Sequence, residues 1–390
     1  MANVSSSNGL EKYPKLRFKG FSDPYRIVPL GDVACEVSRT DPTSKAPVMM
    51  LSAGNGFIMQ SEKYSRDNAG QSLKKYTLLK KGELAYNHGA SKAKQFGCCY
   101  QLEVDEALVP FVYHCFSVNK EYAPYVSTVL NISTTERQLK RLVSSSVRMD
   151  GLLNISYDDY MTVELALPSM DEQQKVSCFL SLLDEKIKKQ QQLVEHLKKY
   201  KRGVIKAVFS GKLELSTDCP FDNWETKLIS ECLSYEQPQK YIVDNERYDE
   251  SFATPVLTAN KAFILGYTEE THGIYDKGDV IIYDDFTMDM KYVTFNFKVK
   301  SSTIKMLTSI KGNDLYFMYS LLQSLELQPE GHQRSYISKV EPMTVKIPPY
   351  AVQLQISNFL KQLANRVDFE ESKLNLLAAQ KQGFLQGLFL

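Results

Sequence analysis

An internal repeat is the feature of this sequence that most limits its fold. Residues 168–209 and 348–389 align without a gap at an offset of 180 and share ten identities, including Pro168/Pro348, Gln173/Gln353 and Gly203/Gly383. Ten identities in one register are hard to assign to chance, and a repeat of this kind marks copies of one structural unit. Weaker echoes lie upstream, where the strand-like Ile155-Ser156 recurs as Ile337-Ser338. The sequence therefore predicts two diverged copies of one unit.

Each repeated segment has the pattern of a long helix. Its seam positions recur at alternating steps of four and three residues, as in the a/d seam of a coiled coil. The seam positions predicted to pair the two helices are Leu180, Leu183, Ile187, Gln190 and Leu197 in the first segment, and Leu360, Leu363, Val367, Glu370 and Leu377 in the second. A continuous helix over 171–209 would be about 58 Å long at ~1.5 Å per residue, which is the dimension of a spacer.

Gln190 and Glu370 interrupt the apolar seam at matching places. In an antiparallel pair of equal helices these two positions face each other, and a buried polar contact there penalises slipped alignments. Solvated breaks in the seam explain the same residues without any pairing. Both hypotheses stay open on the sequence alone, and the first predicts an antiparallel coiled coil with pseudo-twofold symmetry.

The segments between the helices have the pattern of mixed globular domains. Short β-branched and aromatic runs such as Val280–Tyr283 and Tyr292–Phe295 predict strands, and Leu315–Leu325 predicts a local helix. The predicted fold class is therefore α+β. The predicted divisions are a flexible N-terminus over 1–13, a first mixed α/β domain over 14–167, a central helix over 168–211, a second domain over 212–347 and a C-terminal helix over 348–390.

Composition excludes several classes of protein. With 43% hydrophobic and 24% charged residues the chain resembles an ordinary soluble protein, and neither a membrane span nor a signal peptide is predicted, so we expect it in the cytoplasm. Seven cysteines without paired spacing favour buried free thiols and no metal site. The net charge of +1 conceals a second domain with 14 basic against 21 acidic residues, so composition gives no basic footprint typical of nucleic-acid binding.

The architecture resembles the specificity subunits of type I restriction-modification enzymes. The resemblance covers Pro14 to Leu390 and rests on the lead-in PKLRFKGFSDP over 14–24, on PSMDEQQKV over 168–176, and on DEKI over 184–187. The second helix departs from the pattern with Val352-Gln353-Leu354, and Tyr25 stands where the second domain has Trp224.

This resemblance implies a DNA-binding specificity subunit without catalytic activity. Each globular part is then a target recognition domain for one half of a bipartite, asymmetric site in double-stranded DNA. The helices dock two methyltransferase subunits, and restriction subunits can join. DNA methylation and S-adenosylmethionine would belong to the methyltransferase partners, so no cofactor and no metal is expected on this chain.

Several polar loops are candidates for contacting DNA, because amides pair with adenine, arginine pairs with guanine, and cations meet phosphates. In each case an ordinary surface loop is the alternative. The candidates are Asn87, His88, Ser91, Lys92, Lys94 and Arg148 in the first domain, and Tyr283, Thr287, Gln333 and Arg334 in the second. The lysine-rich face of the first helix is either solvated, a partner contact or a phosphate contact.

Two functions of another class remain as alternatives. A single-chain modification methyltransferase or nuclease fragment would need catalytic motifs, and the sequence has neither an Asn-Pro-Pro-aromatic motif nor a phosphate-binding GxxxxGK[ST] loop. Asp284 and Asp285 are adjacent carboxylates, which an extended strand points to opposite sides. The second alternative is a purely structural coiled-coil scaffold, because an apolar seam is packing before it is function.

Overall fold

The computed structural model describes residues 13–63, 70–92, 94–143, 153–215, 219–260, 262–329 and 333–390. Arg148 and the N-terminal residues 1–12 lie outside the described residues. The chain divides into two compact units: unit 1 contains residues 1–189 and 374–390, and unit 2 contains residues 190–373. Each long helix therefore contributes one half to each unit.

Unit 1 is built on short antiparallel strands with small helices beside them. Its elements are β1 (Arg26–Pro29), β2 (Ala34–Glu36), β3 (Met49–Ser52), β4 (Gly56–Met59), α1 (Gln60–Lys63), β5 (Thr77–Lys80), β6 (Leu84–Asn87), β7 (Cys98–Gln101), β8 (Glu106–Val109), β9 (His114–Val118), α2 (Ala123–Val129), α3 (Ser133–Leu142), α4 (Tyr157–Met161), β10 (Glu164–Leu167) and the first half of α5 (Met170–Phe209). The sheet that carries its candidate loop has the order β2-β9-β6-β7.

Unit 2 repeats this plan. Its elements are the second half of α5, β11 (Glu225–Leu228), α6 (Ile229–Cys232), β12 (Leu233–Glu236), β13 (Thr254–Leu257), β14 (Ile264–Thr268), β15 (Val280–Asp284), β16 (Met290–Val293), β17 (Lys298–Val299), β18 (Ile304–Ser309), α7 (Leu315–Ser324), β19 (Thr344–Ile347) and most of α8 (Tyr350–Leu388). Its main sheet has the order β12-β18-β15-β16.

The two units share strand pairings as well as element order. In unit 1 the strand before the long helix pairs with the first strand (β1 with β10), and in unit 2 β11 pairs with β19 in the same antiparallel way. The four-stranded sheets also correspond, because β2-β9-β6-β7 and β12-β18-β15-β16 use strands from matching places in each unit. The prediction of two diverged copies of one α+β fold is confirmed.

The helix halves pack antiparallel inside each unit. In unit 1 the rings of Phe179 and Phe384 meet edge to face at 4.9 Å, and Lys381 forms an ion pair with Asp184, so rising numbers on α5 meet falling numbers on α8. In unit 2 the apolar faces of α5 and α8 belong to one core, with Val204, Val208 and Leu360 all buried. Packing of an apolar stripe stabilises these helices because isolated helices are marginal in water.

Three local predictions differ from the structure. Ile337 and Ser338 lie in a π-helical turn over Tyr336–Val340 rather than a strand, because the backbone N–H of Glu341 donates to Tyr336 O instead of to a neighbouring strand. Ile155 and Ser156 are not in a strand either, because Ser156 caps the helix Tyr157–Met161 and accepts from the Asp159 N–H. The strand predicted at 292–295 is β16, which spans 290–293. Of the seven free cysteines only Cys98, Cys99, Cys115 and Cys232 are buried, and Cys35 and Cys178 are exposed.

Over the described ranges, no helix has the length and apolar character needed to cross a membrane.

Candidate DNA-contacting surfaces

In unit 1 the candidate loop joins β6 to β7 and is shaped by its own hydrogen bonds. Asn87 Oδ1 accepts from the Gly89 N–H at 2.9 Å, and Ser91 Oγ accepts from the Lys94 N–H at 3.0 Å. Gly97 closes the loop with φ of 81°, where a Cβ atom would collide with the carbonyl oxygen of Asn87. A glycine is therefore required at this turn.

The two lysines of this loop have different surroundings. Lys92 is exposed, whereas Lys94 is half-buried and its Nζ donates to Glu136 Oε1 and to the carbonyl oxygen of Asn131, both at 2.7 Å. An ammonium that already has two acceptors gains less from a phosphate than a solvated one does. Lys92 is therefore better placed than Lys94 for contact with a DNA backbone.

His88 lies beneath the loop and not on its surface. Its side chain is buried, and its ring contacts the ring of His114 at 5.0 Å between centroids. His114 Nε2 lies 2.9 Å from the carbonyl oxygen of Ile155, and burial lowers the pKa of His114. Tyr86 stacks on Tyr160 at 3.9 Å in the same cluster. This aromatic layer supports the loop from inside the domain.

In unit 2 the corresponding loop joins β15 to β16, and its acidic residues are internal. Asp284 Oδ1 accepts from the N–H groups of Phe286 and Thr287 at 2.9 Å each, and its Oδ2 accepts from the Thr303 hydroxyl at 2.7 Å. Asp285 is 1% exposed and lies 3.3 Å from Lys305 Nζ. Both carboxylates face the interior and shape the loop, and the charge of Asp285 is balanced by Lys305.

Tyr283 is buried below the same loop, which places it among supporting residues. Its hydroxyl lies 2.9 Å from Ser335 Oγ, and burial raises its pKa to about 12. A fully buried ring cannot reach DNA without opening of the domain, so Tyr283 and His88 are supporting residues beneath their loops.

The exposed polar groups of unit 2 come from three separate segments. Thr287 donates its hydroxyl proton to Asn260 Oδ1 at 3.0 Å, which joins the β15–β16 loop to the β13–β14 hairpin. Gln333 and Arg334 are exposed immediately before the buried Ser335. The sequence did not single out Asn260, because residues 260 and 287 adjoin strands of two different sheets and only the tertiary fold brings them together. The signal in the sequence that could have identified Asn260 is an asparagine in a turn between two strands.

The seam residues have the geometry expected of an antiparallel pair. Gln190 Nε2 donates to Glu370 Oε2 at 2.7 Å and to the backbone oxygen of residue 370 at 3.0 Å. Glu370 also forms ion pairs with Arg366 at 2.8 Å and Lys373 at 3.6 Å, and the hydrogen bond from Gln190 is the largest cause of its lowered pKa. The predicted contact between Gln190 and Glu370 is confirmed. The other eight predicted seam residues are buried or half-buried: Leu180, Leu183, Ile187, Leu197, Leu360, Leu363, Val367 and Leu377.

One group of side chains in unit 2 has the composition of a metal site. The ligand atoms of Asp244, Glu270 and His272 lie within 4.8 Å of one another. Glu270 is already neutralised by the buried Lys298 Nζ at 2.6 Å, and it accepts from the N–H groups of Asp244 and Asn245. A cation there would have to displace a buried lysine, so this cluster is better explained as a buried ion pair that orders two loops.

Comparisons with known proteins point to one family. Residues 222–379 match the model of the type I restriction modification DNA specificity domain. The specificity subunit of the type I restriction enzyme EcoR124I/EcoR124II from Escherichia coli is 47% identical over 126 residues, which is 31% of each chain.

Solved structures extend the similarity to the whole fold. The type I restriction-modification S subunit from M. genitalium has a TM-score of 0.62 at 14% identity, with 97% of this chain and 99% of that chain covered. A chain from a structure of the complex assembly and conformational transition of the type I R-M system has a TM-score of 0.53 at 14% identity, with 94% and 97% covered. Residues 222–379 therefore match a type I restriction modification DNA specificity domain, and nearly the whole length of the chain has the fold of the type I restriction-modification S subunit.

Proposed function

We propose that this chain is the DNA-recognition subunit of a type I restriction-modification enzyme. It binds a bipartite, asymmetric site in double-stranded DNA, with one half-site for each unit. It acts in the cytoplasm and is not itself an enzyme: adenine methylation and S-adenosylmethionine belong to two methyltransferase subunits that it holds, and restriction subunits add cleavage. The observation that carries the proposal is the specificity-domain match over 222–379 within a chain that has the S-subunit fold.

The loops support the DNA-binding part of this proposal. Each unit presents exposed polar side chains above a rigid, hydrogen-bonded support: Lys92 and Ser91 in unit 1, and Thr287, Gln333 and Arg334 in unit 2. Base recognition needs polar groups held in fixed positions, and cations nearby supply attraction for phosphates. The weak overall charge of the chain means that partner subunits share the electrostatic contribution to DNA affinity.

The long helices support the partner-binding part. Several large apolar side chains on them point to solvent and are available to a docked partner. They are Leu182 and Leu376 in the unit 1 halves, and Tyr200 and Phe369 in the unit 2 halves. Methyltransferase subunits docked on the helices would cover these residues and leave the loops of each unit free for DNA.

The deciding experiment is a genome-wide map of methylated adenines. Cells that carry the methyltransferase gene would be compared with and without the gene for this chain. We expect methylation of one bipartite motif only when both are present. The purified chain alone is expected not to bind S-adenosylmethionine.

Other outcomes would select a different function. Binding of S-adenosylmethionine by the purified chain, with methyl transfer, would make it a single-chain modification enzyme. Methylation without any sequence preference in the presence of both subunits would leave it a structural scaffold.

A further inference from the structure

The same interior position is polar in both units, and it lies directly below the candidate loops. In unit 1, Tyr86 of β6 is opposite His114 of β9; in unit 2, Tyr283 of β15 is opposite Lys305 of β18. Two residues after each tyrosine comes a buried polar side chain, His88 in unit 1 and Asp285 in unit 2. The pairs His88–His114 and Asp285–Lys305 therefore occupy equivalent places.

In both units the backbone carbonyl oxygen of this residue also accepts a hydrogen bond from an equivalent distant segment. The Leu153 N–H donates to His88 O at 2.9 Å, and the Ser335 N–H donates to Asp285 O at 3.0 Å. Residues 153 and 335 are equivalent at the offset of 182 that also aligns Ile155 with Ile337. A hydrogen bond that persists between diverged copies, with different side chains around it, indicates a geometric requirement shared by the two units.

In unit 2 this connection is made mainly by one residue. Besides the bond to the Ser335 N–H, the Asp285 carbonyl oxygen accepts from Ser335 Oγ at 2.7 Å, and Asp285 Oδ1 accepts from the Tyr336 N–H at 3.0 Å. Residues 335 and 336 directly follow the exposed Gln333 and Arg334, whereas Asp285 itself begins the turn that carries Thr287. One buried residue thus ties two exposed segments together, through its carbonyl oxygen and its carboxylate.

The burial of the Asp285–Lys305 ion pair is unfavourable in free energy compared with an apolar pair. Asp285 and Lys305 side chains are 1% and 2% exposed, and a well-packed apolar pair of similar volume is often neutral or stabilising in such a place. Lys305 Nζ also lies 5.1 Å from the centre of the Tyr235 ring, which helps to offset its desolvation. The pair is then better explained by the geometry it imposes than by stability.

Resting on the proposed DNA recognition, we propose that Asp285, held by Lys305, is a positioning residue for base selectivity in unit 2. It fixes the segment of Gln333 and Arg334 against the loop of Thr287, so that both act on one half-site. Asp285 itself does not touch DNA.

Two matched double variants separate positioning from mere support. Asp285→Asn with Lys305→Met removes both buried charges but keeps an Oδ1 acceptor for the Tyr336 N–H. Asp285→Leu with Lys305→Met removes both charges and that acceptor. Neither variant strands a single buried charge, which would be destabilising by itself. Each would be assembled with the methyltransferase subunits and given a library of duplexes randomised at both half-sites.

We expect the Asn/Met variant to keep wild-type base preferences. The Leu/Met variant should lose selectivity on the order of tenfold at one half-site, which corresponds to one poorly placed base contact. The other half-site should be unchanged in both. The affected half-site should be the one that also changes when Gln333 and Arg334 are replaced by alanine.

Two results would overturn the positioning role. One is a folded Leu/Met variant with wild-type selectivity, and the other is an equal loss in both variants. If the Leu/Met variant does not fold, Ser335→Ala becomes the deciding variant, because it removes the Oγ hydrogen bond to the Asp285 carbonyl oxygen, together with the contact to the Tyr283 hydroxyl, and leaves both buried charges in place. Unchanged selectivity there also overturns the proposal. A wild-type complex without base preference at this half-site would instead refute the proposed function.

Discussion

The start of the described chain is fastened to the first long helix by a buried ion pair, and its removal should destabilise unit 1. Arg17 donates from Nε and a terminal nitrogen to both oxygens of Glu172 at 2.9 and 2.7 Å, and the Tyr25 hydroxyl donates to the same carboxylate at 3.3 Å. Glu172 is 1% exposed, and the hydrogen bond to it is the largest cause of the raised pKa of Arg17.

The magnitude follows from what remains after Arg17→Ala. A buried carboxylate that loses its partner typically costs 3–5 kcal/mol, and here the Tyr25 hydroxyl and the nearby helix N-terminus still stabilise it. We therefore expect a loss of about 3 kcal/mol. Unit 2 has Val352 at the position equivalent to Glu172, so Arg17→Ala combined with Glu172→Val should restore most of the loss by removing the unpaired charge.

Denaturant unfolding followed by circular dichroism measures the free energy, and hydrogen exchange followed by mass spectrometry localises the change. Exchange should increase in β1 and β10 of unit 1. Lys189→Ala is the control, because both side chains of its ion pair with Glu185 are exposed, at 72% and 56%, and its loss should leave the free energy of unfolding nearly unchanged. An Arg17→Ala variant as stable as the Lys189→Ala variant, or a double variant no more stable than Arg17→Ala, would refute the reasoning.

Three further predictions test the seam and the loop. Leu360→Ala should cost about 2–5 kcal/mol of unfolding free energy because Leu360 is 0% exposed, whereas Leu354→Ala, at 37% exposed on the same helix, should cost about 0.5 kcal/mol or less in the same denaturation assay. The pKa of Glu370 is lowered from its ordinary value of 4.5, so its contribution to stability is complete above that value and is lost as the pH falls through its folded pKa. The difference in unfolding midpoint between wild type and Glu370→Gln should therefore be constant near pH 7 and shrink as the pH is lowered below 4.5 in the same denaturation assay. Lys92→Ala should weaken DNA binding across sequences and lower the salt slope by about 1, and Lys94→Ala should leave that slope unchanged; equal slopes for Lys92→Ala and wild type would remove this residue from the interface.

The helical seam could be predicted from sequence because its information is local. Residues three and four positions apart lie on one helical face whatever surrounds them, so the pattern located α5 within one residue of its observed start at Met170. The pairing of Gln190 with Glu370 followed from equal lengths and antiparallel direction. Neither step needed knowledge of the globular domains.

The candidate loops could be predicted only in part, because burial in them is decided by distant residues. Asn87 and His88 are neighbours in sequence, yet His88 is buried against His114, from β9 of the same sheet. Asp284 and Asp285 have the composition of an exposed acidic turn, yet both carboxylates are buried. Asp284 contacts Thr303, and Asp285 contacts Lys305 and the backbone N–H of Tyr336. Composition indicated polar loops but not which atoms of them face solvent.

The two units answer the same structural demands with different chemistry. At the start of the long helix, unit 1 has Glu172 in an ion pair with Arg17, and unit 2 has the buried apolar residue Val352. Below the candidate loop, unit 1 has a pair of histidines and unit 2 has an aspartate–lysine pair. Backbone connections are retained where side chains have diverged, as the bonds of residues 153 and 335 illustrate. The hydrogen bonds that shape each candidate loop join residues of its own unit. A substitution that repositions one loop therefore moves the exposed side chains of that unit directly. Under the proposed function, selection for a new DNA sequence can then change one half-site through interior residues that do not contact a base.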